Sequence, residues 1–176
     1  MAGECYKVLV VDDESSIRDI ICETLALKGH QGFHAANGTE ALEKFSSENF
    51  DAAVIDVSMP QMDGITLTRE ILKQKPEFPI MIMTGFKDAK INTLPVDEEA
   101  ISAGAIDFLE KPFIIEVFWL RFYKMMVNYK TLFEMRAKQE ALHKIGNEMI
   151  DNLQKESREK IRALENDLEK LRKKLS

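Results

Sequence analysis

The sequence predicts a doubly wound α/β fold, in which a five-stranded parallel sheet carries helices on both faces, followed by one long helix. Short apolar runs alternate with helical patterns of about ten residues across residues 6–113, as expected of consecutive strand–helix–strand units. From residue 113 onward there is no Pro, Gly146 is the only Gly, and apolar residues recur at spacings of three and four. The first observation predicts the sheet and the second predicts the long helix.

Five apolar runs predict the strands, at residues 6–11, 32–36, 52–56, 79–84 and 105–109. The first run is rich in β-branched residues and continuously apolar toward its end, which is typical of a strand buried on both faces. The second run is the weakest of the five.

Helical patterns fill the intervals between the strands. An apolar stripe over residues 15–28 predicts the first helix, which Gly29 ends, and similar patterns at 38–48 and 64–74 predict the next two. The stripe of the first helix consists of Ile17, Ile20, Ile21, Thr24 and Leu25.

The connection between the fourth and fifth strands, residues 85–104, is unusually long for such a fold. Pro95 divides it, so a helix is predicted only over about residues 97–103. This connection is the least predictable part of the front domain.

The composition excludes two classes of protein. The most apolar stretch, residues 114–127, is interrupted by charged residues and is too short to span a bilayer, and residues 1–4 do not begin a signal peptide. The two cysteines, Cys5 and Cys22, fit neither a disulfide framework nor a paired-cysteine metal site. We therefore expect a cytoplasmic protein that is not inserted in a membrane.

The net charge of −6 is unevenly distributed. Residues 1–113 carry 20 acidic against 10 basic side chains, whereas residues 114–176 carry 10 against 14. The acidic front argues against nucleic-acid binding. Charges in the rear alternate in sign, which is typical of a solvated helix face.

The long helix contains two stretches with the spacing of a coiled coil. They consist of Phe118, Phe122, Met125, Tyr129 and Leu132, and of Ile161, Leu164, Leu168, Leu171 and Leu175. A continuous helix over residues 113–173 would be about 90 Å long at roughly 1.5 Å per residue, too long to be covered by a domain of this size. We therefore expect a homodimer formed through a coiled coil.

A polar segment, residues 136–147, separates the two stretches. The first register, projected forward, places Arg136 and His143 on the seam, and a stutter before Ile161 joins the second register. The segment is either a hinge or register switch, or a weak coiled coil. His143 as a phosphoryl donor is disfavoured because Lys144 follows it where an acidic residue is expected, so a polar seam position is the favoured role.

Five polar or charged side chains lie at the predicted carboxyl ends of strands, namely Asp12, Asp13, Asp56, Thr84 and Lys111. In an open parallel sheet, ligands bind at this edge. Each residue alone has an ordinary explanation, as a turn, a helix cap or a surface lysine. Their occurrence together at consecutive strand ends favours a functional site.

Three carboxylates at one place repel one another, by on the order of 4 kcal/mol for a pair about 4 Å apart. The cluster therefore calls for a hard divalent cation or for strongly shifted pKa values, and its all-oxygen donors fit Mg²⁺ and not Zn²⁺. Together with Lys111 and the hydroxyl of Thr84, such a cation suits phosphoryl transfer to Asp56. A phosphatase with an aspartyl-phosphate intermediate is an alternative, but Val57 and Ser58 do not complete its usual DxD-type turn.

Four motifs occur in order along the front domain: VLVVDDE (residues 8–14), Asp56 followed by SMPQMDG (58–64), MTG (83–85), and GAIDFLEKPF (104–113). Over about residues 5–120 the chain therefore resembles the receiver domain of two-component response regulators. The resemblance implies a flavodoxin-like fold with strand order 2-1-3-4-5. We expect a receiver domain at residues 1–120 and a coiled-coil helix at 121–176, continuous with the last receiver helix from about residue 113.

The resemblance also implies roles for the clustered residues. Asp56 is the expected phosphoacceptor, and Lys111 is the cation expected to bind the phosphoryl group. Asp12 and Asp13 form the acidic pair expected to hold Mg²⁺, together with Asp56 and the backbone carbonyl of Ser58.

A switch is implied by two further positions. The hydroxyl of Thr84 is expected to turn toward the phosphoryl group, and the ring of Phe108 to rotate inward when Thr84 moves. The bond between Lys111 and Pro112 is commonly cis in such domains. Residues 85–104 depart from the family because they are longer than expected by about one helical turn.

The sequence thus predicts a receiver that takes a phosphoryl group from a sensor histidine kinase or phosphotransfer protein in a Mg²⁺-dependent reaction. We expect it to change dimer or partner interactions through the long helix. Beyond its own phosphorylation and dephosphorylation, no separate enzymatic activity is expected, because no helix-turn-helix, cyclase or hydrolase signature follows. Two alternatives stay open: a constitutive dimerising scaffold, and a truncated regulator whose coiled coil leads to an output domain beyond residue 176.

Overall fold

A computed structural model of the protein describes residues 4–85 and 96–175. The strands and helices alternate throughout the front domain. The strands are β1 (Lys7–Val11), β2 (Gln31–Ala35), β3 (Ala52–Asp56), β4 (Ile80–Thr84) and β5 (Asp107–Glu110). The helices are α1 (Ser15–Leu27), α2 (Gly38–Ser47), α3 (Gly64–Gln74), α4 (Val96–Ser102) and α5 (Ile115–Leu175).

The five strands form one parallel sheet in the order β2-β1-β3-β4-β5. This confirms the predicted flavodoxin-like order, and the strands begin and end within two residues of their predicted bounds. β3 and β4 are buried along their whole length, as continuous apolar runs in the middle of a parallel sheet should be. Part of the long connection after β4, residues 86–95 with Pro95, lies outside the described residues.

Alternating side chains of each strand supply two apolar cores, one on each face of the sheet. Leu9 and Val11 of β1 belong to the core that also contains the apolar faces of α2 and α3. Val8 and Val10 point to the other face, where they pack in a cluster with α1 and the start of α5. The sheet is therefore covered on both sides, which confirms the doubly wound prediction.

One residue of the predicted apolar stripe of α1 is not buried in the structure. Ile21 and Leu25 are fully buried, whereas Ile20, predicted on the same stripe, has 44% of its surface exposed. An α-helix covers a sheet with only part of its circumference, so a residue at the margin of the stripe stays in solvent.

The chain divides into two compact units, Met1–Tyr129 and Lys130–Ser176. In the first unit, Phe118, Phe122 and Met125 of α5 are buried in the core of the sheet, so this part of the first predicted coiled-coil stretch packs on the receiver. In the second unit, the described side chains of α5 are exposed. Within the described residues, no helix combines the length and apolar character needed to cross a bilayer.

A candidate phosphoryl-acceptor site at the carboxyl edge of the sheet

The predicted site residues lie at the carboxyl ends of neighbouring strands. Asp12 directly follows β1, Asp56 ends β3, Thr84 ends β4, and Lys111 directly follows β5. Because β1, β3, β4 and β5 are parallel and adjacent, all of these ends lie on one edge of the sheet. The topology explains why residues far apart in sequence come together.

Three carboxylates converge at this edge. Asp12, Asp13 and Asp56 each offer one oxygen, and these oxygens all lie within 4.8 Å of one another. Asp12 and Asp56 are buried, whereas Asp13 is exposed. Carboxylates at such distances repel one another, and nearby cations reduce this repulsion.

Lys111 supplies one of those cations. Its Nζ lies 2.7 Å from Oδ2 of Asp12 and 2.6 Å from Oδ1 of Asp56. Burial of the ammonium group lowers the pKa of Lys111, but its hydrogen bonds to Asp12 and Asp56 outweigh burial and raise the pKa above its ordinary value. Lys111 is therefore protonated at neutral pH, and three carboxylates with one ammonium leave a formal charge of −2.

The donor set fits Mg²⁺. All three side-chain donors are carboxylate oxygens, which a hard divalent cation prefers, and the formal charge of −2 equals what such a cation neutralises. The site is also open to solvent on the side of Asp13, which suits an ion that keeps several of its waters.

Asp12 is held in place by the start of α1. Its Oδ1 accepts a hydrogen bond from the backbone N–H of Glu14 at 2.9 Å, and its backbone carbonyl accepts one from Nη1 of Arg18 at 2.5 Å. Both carboxylate oxygens of Asp12 are thus engaged, one by α1 and one by Lys111. This fixes the buried carboxylate against the strand end.

The loop after β3 is shaped by a glycine. The backbone N–H of Gly64 donates to the carbonyl of Val57 at 2.9 Å, and a Cβ at Gly64 would collide with the backbone carbonyl of Asp56. The absence of a side chain lets the loop fold back close to Asp56. Ser58 in this loop lines the same cleft as Asp56 and Asp13.

The two predicted switch residues lie close to the site in the sheet. Thr84 is 8% exposed, and its carbonyl accepts a hydrogen bond from the backbone N–H of Lys111 at 2.6 Å. Phe108 lies on β5 opposite Ile82 and is half-buried against the core on the face of α3. The peptide bond between Lys111 and Pro112 is cis.

A cleft of about 800 Å³ leads from the carboxylates to an apolar rim. Its polar end includes Asp13, Asp56, Ser58 and Lys111. Its apolar end is formed by α1, by the segment between β5 and α5, and by the first residue of α5, with Ile17, Ile20, Phe113, Ile114 and Ile115. This rim is absent from the sequence-based predictions, although the three consecutive apolar residues 113–115, at the junction with α5, are a visible signal.

An ion pair that the sequence motifs did not predict joins β5 and α5. Arg121 binds the carboxylate of Asp107 with two hydrogen bonds, from Nη2 at 2.7 Å and from Nε at 3.0 Å. The same carboxylate accepts the backbone N–H of Phe108 at 2.9 Å, and the guanidinium of Arg121 lies 5.7 Å from the centre of the Phe108 ring. Phe108 is therefore in contact with α5 through Asp107 and Arg121.

The two histidines of the front domain contact groups other than Asp12, Asp13 and Asp56. His30 stacks between Tyr6 and Trp119, with ring centres 5.0 Å and 5.6 Å away. His34 lies beside Asp19, 3.6 Å from its carboxylate.

A family model, that of the response regulator receiver domain, matches residues 8–120. The chain belongs to this family. It is therefore a receiver-containing response regulator, a class of protein that acts in two-component signalling. This confirms the resemblance found in the sequence motifs.

Individual relatives match this chain over a stretch about as long as the receiver domain. Response regulator MprA of Mycobacterium ulcerans is 34% identical over 110 residues, which are 62% of this chain and 45% of MprA. Transcriptional regulatory protein ZraR of Klebsiella oxytoca is 38% identical over 112 residues, which are 64% of this chain and 24% of ZraR. The matched part is thus less than half the length of these relatives.

Solved structures show the same fold. The chemotaxis response regulator CheY4 of Vibrio cholerae superposes with a TM-score of 0.62 at 31% identity, covering 69% of this chain and 99% of CheY4. NtrX of Brucella abortus superposes with a TM-score of 0.65 at 31% identity, covering 75% of this chain and 29% of NtrX.

Proposed function

We propose that Asp56 accepts a phosphoryl group in a Mg²⁺-dependent reaction and that the resulting change alters dimer contacts made through α5. The observation that carries this proposal is the joint position of Asp12, Asp13, Asp56 and Lys111. Three carboxylates within 4.8 Å and an ammonium 2.6 Å from Asp56 are the groups that phosphoryl transfer to a carboxylate requires.

In the proposed reaction, a carboxylate oxygen of Asp56 forms a bond to phosphorus while the bond between phosphorus and the donor's leaving atom breaks. With acetyl phosphate the leaving group is acetate, and with a phosphohistidine it is the imidazole nitrogen, which takes the electron pair. Lys111 stabilises the negative charge on the phosphoryl oxygens, because its protonated side chain already lies beside the accepting carboxylate.

Asp12, Asp13, Asp56 and the backbone carbonyl of Ser58 would hold Mg²⁺ in this proposal. The ion would supply positive charge that offsets the charge of the phosphoryl oxygens. Asp12 is suited to holding it because Glu14 and Lys111 fix the direction of its carboxylate.

We propose a sensor histidine kinase or phosphotransfer protein as the donor. The support is the apolar rim beside the site, in which Ile20 and Ile114 are 44% and 67% exposed. A donor protein that buries these side chains would bring its phosphohistidine to the polar end of the cleft.

The switch is proposed to pass from Thr84 to Phe108 and on to α5. A phosphoryl group on Asp56 adds about 1.5–2 negative charges and attracts the hydroxyl of Thr84. Rotation of Phe108 would change its contact with Arg121, which is the first link to α5. A coupling of about 1–3 kcal/mol, typical of allosteric proteins, is sufficient to change the population of dimer states.

The rest of α5 is proposed to form the homodimer. Of the coiled coil predicted at 121–176, after a receiver at 1–120, the part beyond Tyr129 is proposed to pair, because Phe122 and Met125 are buried in the receiver core. We propose a cytoplasmic location, where the histidine kinases and phosphotransfer proteins of this signalling class present their phosphoryl groups. A constitutive scaffold that uses only the coiled coil gives no reason for a complete set of Asp12, Asp13, Asp56 and Lys111.

The first experiment is to incubate the protein with Mg²⁺ and acetyl phosphate and to record its intact mass. We expect one base-labile phosphoryl group in the parent and none in the Asp56→Asn variant. Asp51→Asn is the matched control, because Asp51 lies just before the other end of β3 and accepts a hydrogen bond from the N–H of Lys7. Labelling of Asp56→Asn, or no binding of beryllofluoride by the parent, would contradict the proposal.

A further inference from the structure

The second unit of the chain has an apolar stripe along α5, in two parts separated by the polar residues 154–160. Its members are each more than half exposed: Leu132, Met135, Leu142, Ile145, Met149, Ile150, Leu153, Ile161, Leu164 and Leu168. At 100° per residue they lie within an arc of about 160°, so they form one face of the helix. A face of this length and character is stable in water when another helix covers it.

This stripe changes the interpretation of the polar segment around His143. The projected seam passed through Arg136 and His143, whereas the exposed apolar residues are Met135 and Leu142, each one position earlier. The stripe therefore continues through residues 136–147 on aliphatic side chains and does not depend on His143.

The end of α5 has the signature of a two-stranded coiled coil. The spacing makes Ile161 an a position, Leu164 a d position and Leu168 the next a position. In parallel coiled coils, a β-branched residue at a with Leu at d favours two strands, and Ile161 with Leu164 follows this rule, whereas Leu168 does not contribute to it. The sequence continues the same pattern with Leu at 171 and 175.

The charges beside the seam match in a parallel, in-register pair. In such a pair each g residue faces the e residue five positions later on the other helix. Lys160 then faces Glu165 of the second copy, and Asp167 faces Arg172, so both contacts join opposite charges and each occurs twice by symmetry.

A shift of the parallel pair by one heptad removes this match. Lys160 would then face Arg158 or Arg172, and Asp167 would face Glu165 in one of the two shifts. Like charges at these positions destabilise a coiled coil, so the charge pattern distinguishes the in-register alignment from its neighbours.

An antiparallel pair can also bring opposite charges together, for example Lys160 and Asp167. The antiparallel alignments that do so overlap the apolar stripe only beyond about residue 150, and they leave Leu132, Met135 and Leu142 exposed. A parallel in-register pair places residues of the same number side by side, so the two parts of the stripe meet the same parts of the second copy over residues 132–168.

Asp167 already contacts Lys170 at 3.1 Å within the single helix, and both side chains are mostly exposed. Such an exposed pair contributes little, so it does not prevent Asp167 from facing Arg172 of a second copy.

We propose that residues 132–175 form a parallel, in-register, two-stranded coiled coil with a second copy of this chain, with Lys160–Glu165 and Asp167–Arg172 contacts fixing the register. The proposal rests on the homodimer of the proposed function and specifies its geometry. It places both receivers at the same end of the coil.

Disulfide formation tests the direction and the register. In a Cys5→Ser, Cys22→Ala background, Leu164→Cys places a single thiol on the seam, and Arg162→Cys places one on the outer face as the matched control. Only a parallel in-register pair brings residue 164 opposite its own copy, within the distance a disulfide allows. We expect rapid covalent dimerisation of Leu164→Cys and not of Arg162→Cys.

Two outcomes would overturn the proposal. A dimer by sedimentation without a disulfide at residue 164 would mean an antiparallel or shifted pair. A monomer at all concentrations would mean that another protein covers the stripe. Neither result affects the labelling of Asp56, so failure of this geometry and failure of the receiver chemistry are distinguished.

Reversing the charges of Lys160 and Glu165 tests the proposed contact between these two residues. We expect Lys160→Glu and Glu165→Lys each to weaken dimerisation about tenfold, because each places like charges in two symmetric contacts. The double variant should return to within about threefold of the parent. No antiparallel alignment of the stripe places these two residues opposite each other, so an absence of rescue would contradict the proposal. Arg162→Glu, on the outer face, should leave the affinity nearly unchanged.

Discussion

Two stretches of α5 have the same apolar spacing, but one is buried in the receiver and the other is exposed to solvent. Phe118, Phe122 and Met125 are buried in the core of the sheet, whereas Ile161 and Leu164, with the same three-and-four spacing, are more than half exposed. The spacing alone therefore predicts an apolar face, and it does not predict whether the chain itself or another molecule covers that face.

The neighbouring residues distinguish the two cases. Phe118 lies between Val117 and Trp119, so the buried stretch is apolar over a broad part of its surface. Leu164 is followed by Glu165, and charges border Ile161, Leu164 and Leu168, which lie within about 60° of the helix circumference. A broad apolar surface is typical of packing on a sheet, and a narrow stripe bordered by charges is typical of pairing with another helix.

The largest expected difference between the two stretches is in stability. Phe118→Ala should lower the free energy of unfolding of the receiver by about 3–5 kcal/mol, because it leaves a cavity among fully buried side chains. Leu164→Ala should lower it by less than about 0.5 kcal/mol and should instead weaken dimerisation. Urea unfolding followed by the fluorescence of Trp119, the only Trp, reports on the receiver. Equal losses of unfolding free energy in both variants would contradict the difference in burial between the two stretches of α5.

Much of the receiver could be predicted because strand ends in a parallel sheet are positions that the sequence specifies. Asp12, Asp56 and Lys111 each adjoin a short apolar run, so their convergence follows from the topology. The pair of Asp107 and Arg121 could not be predicted, because it depends on how closely α5 approaches β5. The exposure of Ile20 depends similarly on the exact angle at which α1 lies on the sheet.

The middle of α5 was harder to predict for a different reason. A register projected over many residues accumulates error, since 3.6 residues per turn and a seven-residue repeat do not coincide. The projected register is one residue out of step with the apolar side chains in this segment. It therefore places His143 on the seam in place of Leu142 and makes the segment look polar.

The next prediction concerns the link between the receiver and α5. Arg121→Ala removes two hydrogen bonds to Asp107 and the cation above Phe108, and we expect it to lower receiver stability by about 1 kcal/mol. Labelling of Asp56 should persist, whereas the change in sedimentation caused by beryllofluoride should decrease. Arg121→Lys keeps the charge without the two-pronged geometry and should recover only part of the effect. A full response to beryllofluoride in Arg121→Ala would show that the signal takes another route.

A smaller effect is expected at Gly146 in the exposed part of α5. No atom lies within 4 Å of a Cβ added there, so Ala fits without collision, and it is favoured over Gly in a helix interior by about 1 kcal/mol. Gly146→Ala should slow amide hydrogen exchange in the surrounding turns and leave receiver unfolding unchanged. Ala141→Gly, at a similarly exposed position, should have the opposite effect. Unchanged exchange in both variants would mean that dimerisation already dominates helix stability.

The smallest expected effect is a dependence of receiver stability on pH, which arises at His30 beside the buried side of α5. Burial lowers the pKa of His30, whose Nδ1 accepts the backbone N–H of Tyr6 at 3.2 Å, while its ring stacks on Trp119. Lys28 Nζ lies 5.5 Å from the centre of the same Trp119 ring.

Because the folded pKa of His30 lies below the unfolded value of 6.5, the unfolded chain binds more protons as the pH falls. The stability contributed by neutral His30 is therefore present above pH 6.5 and decreases as the pH falls toward the folded pKa. His30→Phe keeps a ring in the stack but cannot titrate, so its unfolding free energy should decrease less than that of the parent between about pH 7.5 and about pH 5.5. Identical pH slopes would show that the stack of Tyr6, His30 and Trp119 tolerates a charge, and that this end of α5 is less tightly buried than Phe118.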